Sequence, residues 1–139
     1  MAARREHLFE VFNCLIAIKK ECSSQIFTEC GLVDITVKQV AYLRAIDEHT
    51  DVTFSRLAEI TGTSKPTVTE MINKFVRMEC VYRERSSADG RIAYIRLTRK
   101  GRMIAKAEQN TLNRMIERMI QSLDDDDVDR LIEILGKVR

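Results

Sequence analysis

Between residues 64 and 91 the chain gathers short hydroxyls, an amide and cations: Ser64, Lys65, Pro66, Thr67, Thr69, Glu70, Asn73, Lys74 and Arg77, then Arg83, Arg85, Asp89 and Arg91. On a helix, Pro66, Thr69, Glu70, Asn73 and Arg77 fall on one side, with Thr67 and Lys74 flanking them. These groups can meet base edges and phosphates by hydrogen bonding and charge. They are not equipped for bond-breaking chemistry. Serine, histidine and acid do not fall into a nucleophile motif, and the 5 glycines form neither a phosphate loop nor a dinucleotide fingerprint. A solvated helix face is the plainer reading of such a stretch, so its neighbours have to decide.

The elements that would position these side chains are legible. Phe54 to Thr61 reads as a short helix with Thr53 as N-cap, and Gly62 suits a left-handed C-terminus. Thr63 completes a tight turn, Ser64 caps a second helix, and Pro66 falls within its first turn, where a missing N–H costs little. Small Ala58 permits a close crossing, with Leu57, Val68 and Met71 between the two helices. This is helix-turn-helix spacing, the second helix being the reading helix. Val68, Ile72, Phe75 and Met78 form its apolar stripe, opposite the polar face. Residues 81–97 then alternate on either side of a Ser/Asp/Gly turn, which predicts a hairpin. Ala93, Ile95 and Leu97 share one face, and Ile92, Tyr94 and Arg96 the other. Its tip is basic, with Arg83 and Arg85 on one strand and Arg91 on the other. A helix-turn-helix beside a charged hairpin predicts a winged helix.

Leu57-Ala58-Glu59, Ser64-Lys65-Pro66-Thr67-Val68-Thr69, Asp89-Gly90-Arg91 and Leu97-Thr98-Arg99-Lys100-Gly101 together resemble, in order and spacing, the signature of the MarR (multiple antibiotic resistance regulator) family. The resemblance covers about half the chain, and its wing portion is more specific than its helix-turn-helix. It implies a regulator that binds double-stranded DNA, with reading helices in successive major grooves and wings beside them. It also implies a small effector, often a phenolic or aromatic acid, between a helical dimer region and the winged helix. Two positions depart from the family. Cys80 stands where a glycine usually ends the reading helix, so that end needs another geometry or a strain cost. Glu70 occupies a place that is often basic or small; glutamate can accept from cytosine but repels phosphate.

Charge points the same way. The 139 residues carry a net charge of only +2, with 32% charged and 45% hydrophobic residues. Residues 64–106, however, hold 11 Lys/Arg against 4 Asp/Glu, whereas the stretches on either side are net negative. Such a concentration is the electrostatic footprint of a nucleic-acid surface. The basic start is interrupted by Glu6, Glu10 and Asn13, so no signal-peptide core is expected, and no stretch has the uncharged length of a membrane span. A cytoplasmic protein is expected. Cys14, Cys22, Cys30 and Cys80 lack zinc-site spacing, and His7 and His49 are far apart. Asp124 to Asp127 lack the alternation and glycine of a calcium loop and suit a helix N-terminus instead. No metal or cofactor is expected.

Long helices flank the winged helix. The first runs from about Glu6 to Cys30, with Leu8, Val11, Phe12, Leu15, Ile18, Cys22 and Ile26 as its stripe and Gly31 ending it. Thr36-Val37-Lys38-Gln39 is a capping box for the next, with Val40, Leu43 and Ile46 inward. Asp51 to Thr53 reads as a turn and a very short strand. Thr98 caps another long helix with Ile104, Thr111, Leu112, Met115, Ile116, Met119 and Ile120 on one face. A final helix after Asp124 turns Val128, Leu131, Ile132, Leu135 and Val138 inward. The fold class is therefore mainly α with a small β-hairpin. It is a single domain over 1–139, with a winged helix-turn-helix at 36–97 flanked by dimerisation helices at 1–30 and 98–139. The surplus apolar faces predict a homodimer, and a two-fold pair of reading helices a pseudo-palindromic site. The function expected is a sequence-specific transcriptional regulator, a repressor rather than an enzyme, and the family resemblance implies release by a small aromatic or phenolic ligand. Two alternatives stand beside it: redox response through Cys14, and a winged-helix protein-interaction module without DNA binding. Cys14 and Cys22 lie about 12 Å apart by helical rise, too far for a disulfide within one helix.

Overall fold

The computed structural model describes residues 1–31 and 34–139. Among the described residues, seven helices and one hairpin follow in chain order: α1 Ala2–Glu29, α2 Val37–Glu48, α3 Phe54–Thr61, α4 Lys65–Arg77, β1 Val81–Arg85, β2 Ala93–Leu97, α5 Arg99–Ala105, α6 Ala107–Ser122 and α7 Asp125–Gly136. They divide into two compact units, Ile26–Ala107 and a second made of Met1–Gln25 with Glu108–Arg139.

The Ile26–Ala107 unit is built from locally specified pieces. Thr36 Oγ1 accepts from the Gln39 N–H at 3.1 Å, and Gln39 Oε1 accepts from the Thr36 N–H at 3.0 Å, so the predicted capping box starts α2. Thr53 Oγ1 accepts from the Arg56 N–H to start α3. Gly62, at φ 64°, ends α3, and the Thr63 N–H reaches back to the Ala58 carbonyl at 3.0 Å. Ser64 then caps α4 through the Thr67 N–H. Leu57, Val68, Ile72 and Phe75 are fully buried, each contributing about 1.5–3 kcal/mol of burial. Leu43, Ile46, Val52, Ile95 and Ile104 complete the core that α2, α3, α4, α5 and the hairpin share.

The end of α4 departs from expectation by one residue. The left-handed position is Glu79, at φ 61°, and not Cys80. The Cys80 N–H bonds the Phe75 carbonyl at 2.9 Å and the Glu79 N–H that of Val76 at 3.0 Å, which turns the chain into β1. Cys80 itself is wholly buried. A non-glycine thus ends the helix, with the strain carried by glutamate.

β1 and β2 pair antiparallel with Arg83 opposite Ile95, and Ile95 and Leu97 point inward. The short strand expected near Asp51 is a bridge from Thr53 to Tyr94, and the Ile95 N–H bonds the Val52 carbonyl at 2.8 Å. Arg91, expected on the second strand, lies instead in the turn, because β2 begins only at Ala93. The long helix expected after Thr98 is two helices broken at Lys106, whose φ is −98° and ψ 13°. Neither Pro nor Gly marks that break, so helical periodicity alone ran through it.

In the other unit, Leu15 and Ile18 of α1, Met115 and Met119 of α6 and Leu123 just after it line one groove, and Arg118 reaches Glu21 at 3.4 Å. Asp124 caps α7 by accepting from the Asp127 N–H at 2.8 Å. The inward stripe expected of α7 is not inward in the single chain. Ile132, Leu135 and Val138 are exposed, and no α7 residue is buried. Leu8, Val11, Phe12, Leu112, Ile116 and Ile120 are exposed as well. A helix period places these side chains on one face but does not say which chain covers it.

Candidate nucleic-acid interface

The polar face of α4 is open. Ser64, Lys65, Pro66, Thr69, Glu70, Asn73, Lys74 and Arg77 are exposed while Val68, Ile72 and Phe75 face the core. Thr67 is half-buried, and its hydroxyl lies 2.8 Å from that of Ser64 at the helix start. It is therefore partly committed to the cap, with less freedom than Thr69 or Asn73 to meet an outside partner. Pro66 has no N–H and Ser64 Oγ takes that of Thr67, so it is chiefly the helix dipole that favours an anion there.

The turn of the hairpin is held by its own side chains. Ser86 Oγ accepts from the Ala88 and Asp89 N–H groups at 3.3 and 3.2 Å. Asp89 receives Arg91 Nε and Nη2, each at 3.1 Å, and the Arg91 N–H at 3.1 Å. Asp89 and Arg91 thus pair bidentately, and the guanidinium is presented to solvent from a defined base. The donated bonds from Arg91's side chain, then from its backbone, hold the Asp89 carboxyl below its ordinary pKa, and Asp89 in turn raises that of Arg91. Arg85 is exposed at the end of β1.

Arg83 does not reach out with them. Its Nη2 donates to Asn73 Oδ1 on α4, and its guanidinium lies over the Phe54 ring, 5.3 Å from the centroid. Arg83, Asn73 and Phe54 thus join β1, α4 and α3. On the sequence alone Arg83 groups with the tip arginines, and nothing there marks Phe54 as its partner. Period-2 alternation does put Arg83 and Arg85 on one face, but the hairpin's lean onto α4 is a tertiary fact that alternation does not encode. Arg96 was likewise only a name on the outer face. It ties Asp51, at 2.8 Å and a left-handed φ of 52°, to Glu84 at 3.3 Å, and covers Tyr94.

Cys14 is exposed, whereas Cys22, Cys30 and Cys80 are buried, and burial pushes the Cys80 thiol up. Among the described residues, no three His, Cys, Asp or Glu side chains gather to hold a metal ion, and no helix is long and apolar enough to cross a membrane.

A helix-turn-helix whose second helix exposes a polar face, beside a basic two-stranded wing, defines a winged helix-turn-helix protein. Residues 33–92 match the model of the MarR family. The HTH-type transcriptional regulator MgrA of Staphylococcus aureus is 25% identical over 130 residues, covering 94% of this chain and 85% of that protein. In fold, the chain resembles S. aureus MepR in a crystal structure of its DNA complex, with a TM-score of 0.66, 20% identity and 96% of each chain covered. It also resembles Streptococcus pneumoniae FabT in complex with DNA, with a TM-score of 0.54, 24% identity, and 99% of this chain and 93% of that one covered. Residues 33–92 thus carry the pattern of the MarR family, and the similar protein MgrA is a transcriptional regulator and not an enzyme.

Proposed function

We propose that this protein is a cytoplasmic homodimeric repressor that binds a pseudo-palindromic duplex operator. Residues 36–97 form the DNA-binding part, and 1–30 with 98–139 the dimerisation part. One observation carries the reading: α4 buries Val68, Ile72 and Phe75 completely and leaves Lys65, Thr69, Asn73 and Lys74 open beside the basic wing. A helix so divided can enter a major groove without disturbing its own core. Arg91 and Arg85 reach the flanking phosphates or minor groove, while Ser64, Thr67 and the start of α4 approach the backbone. The exposed apolar side chains of α1, α6 and α7 supply the dimer contact. DNA complexes of MepR and FabT, which share the fold, support the same mode of binding. Release by a small aromatic or phenolic ligand completes the proposal and follows from the family resemblance.

Binding of the purified protein to random duplex DNA across a salt series tests the central claim. A DNA-binding winged helix loses affinity by about one log unit per log unit of salt for each phosphate it neutralises. A flat salt response, or no binding, would instead favour a protein-interaction module. Titrating a bound operator with a panel of phenolic acids tests release.

A further inference from the structure

We infer that Arg83 is a positioning residue for base recognition. It fixes the orientation of the Asn73 amide and thereby makes α4 prefer a keto-bearing base, guanine or thymine, at the position Asn73 meets. The inference rests on the DNA-binding reading above and adds to it a specificity device.

A guanidinium has only donors, so the atom of Asn73 that faces Arg83 Nη2 has to be the amide oxygen. The amide's NH₂ is thereby turned away from the wing, leaving its two donors for an outside partner. Free asparagine pairs bidentately with adenine, accepting from N6 while donating to N7. With Oδ1 aimed at Arg83, one of its two lone pairs is taken and the oxygen is turned from the outside partner, while the donating half faces outward. Donors match the acceptors O6 and N7 of guanine or O4 of thymine, and they oppose the amino groups of adenine and cytosine. Arg83 can keep this hold because it is itself braced. The Phe54 ring lies beneath its guanidinium, and β1 carries its Cα opposite Ile95, which is buried. Asn73 is exposed on the same face as Glu70 and Lys74, so the oriented amide points from the surface that would meet the groove.

The test is in vitro selection from a random duplex library with wild type, Arg83→Met, Arg83→Lys, Asn73→Ala and Arg83→Met/Asn73→Ala. Wild type should select guanine or thymine at one position in each half-site, by roughly tenfold over adenine. Arg83→Met frees the amide to turn, and selection there should move to adenine while the other positions keep their preference. Arg83→Lys keeps a donor and should retain much of the wild-type choice. Asn73→Ala should erase the preference, and adding Arg83→Met should change that position no further. An unchanged profile for Arg83→Met overturns the inference, as does a shift that persists without Asn73. Arg83 is on the surface, and matching melting curves for the variants exclude unfolding as a cause. A wild type that selects no duplex at all removes the DNA-binding reading itself, and the inference with it.

Discussion

Gly101 lies so close to the turn after α4 that a Cβ built on it would stand 2.0 Å from the Cys80 carbonyl oxygen. That carbonyl also accepts the Thr98 N–H at 2.9 Å, and Thr98 Oγ1 donates to the Glu79 carbonyl at 2.7 Å while accepting from the Gly101 N–H. The start of α5 is therefore riveted to the end of the reading helix through backbone, and only glycine lets it come this near. Gly101→Ala should destabilise the protein by about 1–3 kcal/mol or more, since backbone and not a flexible side chain must yield. Urea unfolding monitored by circular dichroism measures it, and a wild-type midpoint would show that the contact relaxes freely.

Glu79 should respond in the opposite sense. It holds a left-handed conformation that costs a non-glycine residue about 1–2 kcal/mol, partly offset by the extra freedom glycine has when unfolded. Glu79→Gly is expected to raise stability by up to about 1 kcal/mol, read as a higher melting temperature. Glu79→Val, β-branched at the same φ, should lower it.

The wing tip should be acid-labile. Asp89 has its carboxyl held below the ordinary value by bonds from Arg91. A depressed carboxyl stabilises the folded arrangement above its unfolded pKa, and the contribution is lost as pH falls through the folded one. The Asp89–Arg91 pairing should hold at neutral pH and release only below the usual carboxylate range, seen as a change in the Arg91 Nε resonance. Arg91→Ala should weaken operator binding about tenfold or more with the fold intact. Equal affinity would leave the turn a purely structural element.

Ile116 is 41% exposed on α6 in the single chain, within the apolar set that the dimer proposal uses. Ile116→Glu places a charge where that contact would form and should give monomers in light scattering, with helicity preserved. Monomeric wild type at micromolar concentration would remove the dimer.

Peroxide should leave DNA binding intact. Cys22, Cys30 and Cys80 are buried, so Cys14 is the accessible thiol. Release of wild type, but not of Cys14→Ser, by mild peroxide would establish redox control instead.

What could be read from the chain was whatever its local chemistry encodes. Thr36 with Gln39, Thr53, Gly62, Ser64, Thr98 and Asp124 all cap the helices they were expected to cap, because capping acts within a few residues. The alternation that put Ile95 and Leu97 inside is equally local. Four features were not legible, for distinct reasons. The break at Lys106 has no Pro or Gly to announce it. The outward stripe of α7 has the same period as a buried one. The grip of Arg83 on Asn73 joins residues whose meeting depends on how the hairpin leans on α4. Gly101 appeared only as a signature letter, and its reason is a backbone approach that spacing cannot show.

The division of the chain into units has a consequence for its synthesis. Ile26–Ala107 is one uninterrupted stretch, whereas its companion unit joins Met1–Gln25 to Glu108–Arg139. On a ribosome, the winged helix can fold as soon as its own last residue emerges. Leu15 and Ile18 of α1 are made earlier but must wait for Met115 and Met119 of α6. At about 5–20 residues per second that delay is on the order of seconds, during which the amphipathic first helix is without its partner. The nascent chain thus carries a finished reading head while its earlier-made apolar flank is still uncovered.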